Sequence, residues 1–411
     1  MKTTHLFAAL LLASPFVPLG AQETVAFSGV SLVDVQAGEV LPDRTVVVRG
    51  ERIEAVGPSA GVVVPEGARV VDGRGLFLMP GLFDVHVHFA DPDTFGPLAV
   101  AHGVTFVRDM GGTTERVLSI RARAAAGQLL GPEMAVTGAI LDGEQPVWPF
   151  SIACRTPEEG RKAVADLVEA GVDQLKVYDG LDAETYRAIL EEARRLGRPV
   201  VGHVPRSIEL EEAFEAGQVS IEHLTGFDVR IGRLAGKEPT PGRSFAHWLD
   251  VPDLSAEDLD SLAKRVAASG AYLCPTLVVY ERIGRLEDPA LLEDPSLAFV
   301  PASLREAWKP ANDFRFRDWT PQVYELVRKA LGEQMALVGR LHAAGGRIVA
   351  GTDLSNPYLV AGASLHEELR LLAASGLRPV DALRSATTTA AALCGVADRL
   401  GTVEAGKTAS M

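Results

Sequence analysis

Cysteine is nearly absent. Cys154, Cys274 and Cys394 are the only three in 411 residues, an odd and widely spaced set that excludes the disulfide framework of a small secreted scaffold. Each reads as a small buried side chain. Positive charge is also short: 40 Lys and Arg against 54 Asp and Glu leave a formal net charge of -14. No nucleic acid and no anionic membrane is expected as a partner, because phosphate-rich surfaces are met by clustered cations. Long apolar runs are missing too. The stretch from Leu6 to Ala13 is far below the roughly 20 residues a membrane-spanning helix needs, and no later run reaches that length. No glycine-rich dinucleotide fingerprint follows any strand candidate, which counts against a doubly wound nucleotide-binding sheet.

What is present divides the chain. Residues 1–21 combine Lys2, the short apolar core and the small pair Gly20-Ala21, the pattern of a cleaved secretory signal peptide. The expected location is therefore outside the cytoplasm, secreted or periplasmic. Residues 22–78 hold short strands punctuated by turns and read as a small β domain. Over residues 79–396, apolar β-branched runs alternate with amphipathic helical stretches. The runs are "LFDVHVHF", "VTFVRDM", "EMAVTGAIL", "QLKVY", "RPVVGHV", "VSIEHL", "AYLCPTLVVY" and "RIVAGTD". Eight strand-helix units in that length predict an α/β fold, a (β/α)8 TIM barrel carrying a small β-sandwich domain built mainly by the N-terminal strands. Residues 397–411 are expected to return to the β domain and to stop short of completing it. Segments 227–253 and 281–320 are too long for ordinary connections and read as functional insertions. All four tryptophans, Trp148, Trp248, Trp308 and Trp319, fall in segments that follow a strand, where a barrel builds its sites.

Strands of a barrel interior should be apolar, so polar residues at strand ends are the informative ones. His86 and His88 stand two apart in the first strand and project from one face, with Val85 and Val87 on the other. Lys176 lies in the fourth strand, His203 ends the fifth, His223 the sixth and Asp353 the eighth. Two imidazoles on one rigid face can grip one metal ion, and burying them without a partner is costly. Lys176 is the odd member. An ammonium is a poor ligand and is expensive to bury, so a neutral amine is expected, suited to Schiff-base chemistry or to uptake of carbon dioxide as a carbamate. The neighbouring histidines and aspartate favour the carbamate.

The set His86-x-His88, Lys176, His203, His223 and Asp353, with the phrases "LMPGLFDVHVHF", "GVTFVRDMGG", "LKVYDGL", "GHVP", "SIEHL" and "GTD", resembles the amidohydrolase superfamily in its binuclear form. Within it the chain looks like secreted prolidase-like and imidazolonepropionase-like metal-dependent hydrolases. The resemblance runs from about residue 24 to 407. It implies two divalent metal ions, zinc before manganese or iron, bridged by a carbon-dioxide-derived carbamate on Lys176. It places His86, His88 and Asp353 on one metal and His203 and His223 on the other. It makes Asp353 the catalytic residue that moves a proton from a metal-bridging hydroxide to the leaving amine. It implies a substrate-binding role for Tyr178, with Arg206 assisting as a cation. The implied activity is cleavage of an amide bond in a small-molecule dipeptide or N-acyl amino acid, as in a prolidase or carboxypeptidase. Alternatives are cyclic amides, lactones or organophosphate esters, or a secreted binding protein without catalysis. A homo-oligomer is compatible with this reading. Arg108, Asp109 and His366 are expected to support the ligands from behind.

Overall fold

Alternating strands bring the N-terminal segment together first. The computed structural model describes residues 23–238 and 244–411; the leader expected at residues 1–21 lies outside the described residues. Thr24–Asp34 pairs antiparallel with Glu39–Arg49, which pairs antiparallel with Arg52–Pro58. Arg69–Asp72 and Phe77–Leu78 add parallel to Thr24–Asp34. One face of this sheet buries Leu32, Val46, Val48 and Ile53 against Val403. The chain comes back to it after the barrel: Gly406 donates to the carbonyl of Ile53, and the amides of Ile53 and Ala409 bond to Lys407 and Glu51 respectively.

Eight parallel strands follow: Leu82–Val87, Val104–Asp109, Glu133–Val136, Leu175–Val177, Val200–Gly202, Ser220–Glu222, Tyr272–Cys274 and Arg347–Ile348. The ring closes through backbone bonds at two seams. Val85 N donates to Ala350 O at 3.0 Å and Asp353 N to His86 O at 2.7 Å, while Asp173 N reaches Val136 O at 2.9 Å. The chain is thus a TIM barrel with an N-terminal sheet attached. Helices cover it for the usual reason. In Ala183–Arg195, Asp182 caps the first turn by accepting from the amides of Glu184 and Thr185, and Tyr186, Ile189, Leu190 and Ala193 recur at helical spacing on the buried side. The short helix Thr388–Leu393 packs its alanines onto Phe83, Val85 and Phe106 in a second, smaller core.

One expectation needs correction. The run "AYLCPTLVVY" is not one strand: it ends at Cys274, and Leu277–Ile283 is helical. Pro275 cannot donate to the ladder, and Thr276 turns the chain with a left-handed φ of 48°. The two long segments, expected to be more than ordinary connections, carry structure of their own. They contain the helices Phe227–Leu234, Ser244–Trp248 and Ala302–Ala307, with several short 3-10 turns, apart from residues 239–243, which lie outside the described residues. Among the described residues no helix is long and apolar enough to cross a membrane.

Candidate metal centre

The strand ends converge on a cavity of about 1060 Å³ lined by His88, Lys176, His203, His223 and Asp353. His86, fully buried, lies beneath it. The six side chains come from five strands. Nε2 of His86 and of His88 each stand 3.6 Å from Asp353 Oδ1, and His223 Nε2 stands 4.0 Å from Asp353 Oδ2. Lys176 Nζ is 3.5 Å from His86 Nε2. The rings of His203 and His223 are 5.0 Å apart.

Every imidazole is held from behind through Nδ1. His86 bonds to Glu222 Oε2 at 2.7 Å, His88 to the carbonyl of Gly111 at 2.8 Å, His203 to Asp179 Oδ1 at 2.7 Å and His223 to Thr276 Oγ1 at 2.7 Å. Each Nε2 is thereby left facing the cluster, and that of His203 is buried without any hydrogen-bond partner. This is the arrangement of metal-ligating histidines, whose second nitrogen is oriented by a carboxylate, carbonyl or hydroxyl. His86, His223 and Asp353 place one ligand atom each within 4.8 Å of one another.

Electrostatics favour neutral nitrogen. Burial, then the nearby Lys176 charge, pushes the His88 imidazole down to about 4 and holds His86 well below its ordinary range. Burial and the neighbouring His203 and Lys176 do the same to His223. Lys176 is itself lowered by burial, and among the described residues no carboxylate forms an ion pair with it. The backbone is committed as well. His223 and Asp353 adopt left-handed φ values of 57° and 60°, conformations that non-glycine residues hold only where the surroundings impose them. Gly351 is required by close approach: a Cβ there would come within 2.7 Å of His86 Cβ.

The supporting residues divide. Asp109 accepts from the amides of Phe89 at 2.8 Å and Gly111 at 3.0 Å, which fixes the turn that presents the Gly111 carbonyl to His88. Arg108 is fully buried and donates to Glu222 Oε1 at 2.8 Å and to the carbonyl of Val85 at 2.6 Å. His366 is not brought to the site. It bonds to the carbonyl of His102, beyond the first barrel helix. Tyr178 lines the cavity, its ring 4.1 Å from that of His203, and its hydroxyl accepts from Trp148 Nε1 at 3.1 Å. Arg206 lines the rim with a largely exposed side chain 3.5 Å from Asp179. Of the tryptophans only Trp148 and Trp319 reach the cavity; Trp248 and Trp308 are buried in the core.

Glu222, Asp179 and Thr276 were not singled out from the sequence. For Asp179 the signal was there, a carboxylate three residues beyond Lys176. Glu222 was hidden by strand parity, since it precedes His223 and should face the other way. The left-handed turn at His223 breaks the alternation and lets both face inward.

A sequence profile described as the amidohydrolase family matches residues 77–411. Adenine deaminase 3 of Rhizobium meliloti (strain 1021) is 28% identical over 236 residues, 53% of this chain and 39% of that protein. The chain thus spans well under half the length of this relative. Among solved structures, a protein described as a candidate prolidase from Bifidobacterium longum is 25% identical, with a TM-score of 0.69 over 95% of this chain and 88% of that one. A bottromycin amidohydrolase is 27% identical, with a TM-score of 0.73 over 93% of this chain and 80% of that one.

Proposed function

Because this chain belongs to the amidohydrolase family, we propose that it is a metal-dependent hydrolase that cleaves the amide bond of a dipeptide or N-acyl amino acid at a site for two divalent cations. The observation that carries the reading is the set of four imidazoles, each tied through Nδ1, of which His86, His88 and His223 turn Nε2 toward Asp353 and His203 buries an unpartnered Nε2, beside a buried lysine that has no ion-pair partner among the described residues. The donor set suits the group: His86, His88 and Asp353 would hold one cation and His203 and His223 the other, with zinc the first choice for nitrogen-rich ligands. Lys176, whose burial favours the neutral amine, would be the residue to take up carbon dioxide with loss of a proton, and the resulting carbamate would supply negative oxygen ligands to the cations. When bound, the cations supply electrophilic activation of water and of the scissile carbonyl.

The protein's own contribution is positioning and proton transfer. Asp353, at the junction of the imidazoles, accepts a proton at its carboxylate from the attacking water and returns it to the departing amine nitrogen. Tyr178 and Arg206, on the cavity side of His203, would meet the carboxylate of the amino-acid half. Prolidase and amidohydrolase relatives of similar fold support an amide substrate over a lactone or phosphate ester. The leader-like residues 1–21 support export.

The test is elemental analysis of protein produced with bicarbonate and purified without chelator, followed by a screen of dipeptides and N-acyl amino acids. Close to two metals per chain and a requirement for a free carboxylate are expected; a folded chain that binds none would sink the proposal. Asp353→Asn should lose about 10²- to 10⁴-fold in kcat, and full activity with metals bound would remove its proton-transfer role.

A further inference from the structure

The cavity is far larger than the amide it is proposed to cleave. At about 1060 Å³ it stands at the top of the roughly 300–1,000 Å³ range of small-molecule sites. A small dipeptide would leave much of its apolar surface wet, and wet apolar surface contributes no binding energy.

One wall is aromatic and continuous, although its parts are distant in sequence. Trp148, from the segment after the third barrel strand, stacks on Phe150, their rings 6.1 Å apart. The Arg315 guanidinium lies 5.6 Å from the Trp148 ring and 4.7 Å from the Phe316 ring, joining them by cation–π contacts. Phe316 then meets Trp319 at 5.0 Å, and Trp319 meets Phe245 at 6.3 Å. Phe245 contacts Tyr280 at 5.7 Å, whose hydroxyl donates to the carbonyl of His223. The wall therefore ends at a candidate metal ligand.

Arg315 is part of this wall, and three of its five N–H groups are engaged within the protein. Its Nε and Nη2 are taken by both oxygens of Asp313, at 3.0 and 2.6 Å, and Nη1 donates to Asn356 Oδ1 at 2.6 Å. The cavity thus has an aromatic, cation-backed surface on one side and the hydrogen-bonding groups of Tyr178 and Arg206 on another.

We propose that this wall is an acyl subsite for an extended aromatic group, so that the preferred substrates are N-aroyl amino acids with fused or linked rings and not small dipeptides. The proposal rests on the amide-hydrolase reading above and specifies its substrate class. Flat rings gain both area burial and ring-to-ring geometry on such a surface.

The test uses the full, metal-loaded chain with N-acetyl, N-benzoyl and N-(2-naphthoyl) derivatives of L-alanine, L-leucine and L-proline. The expected result is a kcat/KM that rises about 50-fold or more from acetyl to naphthoyl, carried mainly by KM. A flat or falling series with acetyl derivatives still cleaved overturns the aromatic subsite and leaves the hydrolase reading standing. If nothing is cleaved, tryptophan-fluorescence titration separates the two failures: naphthoyl derivatives binding at least about tenfold tighter than acetyl support the subsite without the hydrolysis, and equal binding overturns both. Trp319→Ala should cut the naphthoyl-to-acetyl ratio about tenfold, with Trp319→Phe, which keeps a ring there, retaining most of it; an unchanged ratio in Trp319→Ala counts against the wall.

Discussion

Glu222 shows how much a single buried residue can decide. It is fully buried, receives Arg108 Nη2 at 2.8 Å and Ser220 Oγ at 2.5 Å on one oxygen, and holds His86 Nδ1 at 2.7 Å on the other. A carboxylate in that position fixes the tautomer of His86 and raises the basicity of its Nε2, while Arg108 offsets the cost of burying the charge. Glu222→Gln keeps the shape and removes the charge. We expect it to weaken metal binding about 10- to 100-fold in a competitive chelator titration while the barrel stays folded by circular dichroism. Unchanged affinity would reduce Glu222 to a packing role.

Among the elements, the helix Leu277–Ile283 is tied in place by a buried titratable group. It starts where the seventh barrel strand breaks at Pro275 and Thr276. Glu368, fully buried on the helix Ala363–Ala374, accepts from the amide of Val278 at 2.7 Å. Burial raises its carboxyl from 4.5 to about 8, only partly countered by the bonds from Val278 and Leu277. The folded state therefore binds a proton that the unfolded state releases between those values, so this contribution is complete below the lower value and is lost as pH rises through the upper one. Denaturant melts should show stability falling by a few kcal/mol between about pH 5 and 8, relative to Glu368→Gln. That variant keeps an acceptor and should flatten the slope; an identical slope in both proteins would show that other groups carry it.

For the molecule as a whole, the six candidate ligands tie together five strands of one ring, so loading the centre should stabilise the entire barrel. Cations at about a thousand times Kd would add roughly 4 kcal/mol. Adding EDTA to the loaded protein should then lower the thermal midpoint by about 5 °C or more, reversibly on returning zinc. A midpoint indifferent to chelator would mean that the ligands do not cross-link the strands.

Pattern along the chain was enough for the barrel, its eight strands and their order, because apolar β-branched runs alternating with amphipathic helical stretches leave few other ways to bury both. It also marked His86, His88, Lys176, His203, His223 and Asp353, since polar side chains in otherwise apolar strands are conspicuous without any coordinates. Tertiary structure decided the rest. The inward turn of Glu222 depends on the left-handed backbone at His223, which residue type alone does not announce. The end of the seventh strand depends on a proline and on a helix held by Glu368, some ninety residues later in the chain. The aromatic wall is assembled from residues 148, 245, 280, 315, 316 and 319, whereas Trp248 and Trp308, no different by composition, were drawn into the core. Local pattern records which side chains face inward along one element. Which of them meet is set by packing between elements, and that information exists only once the chain has closed on itself.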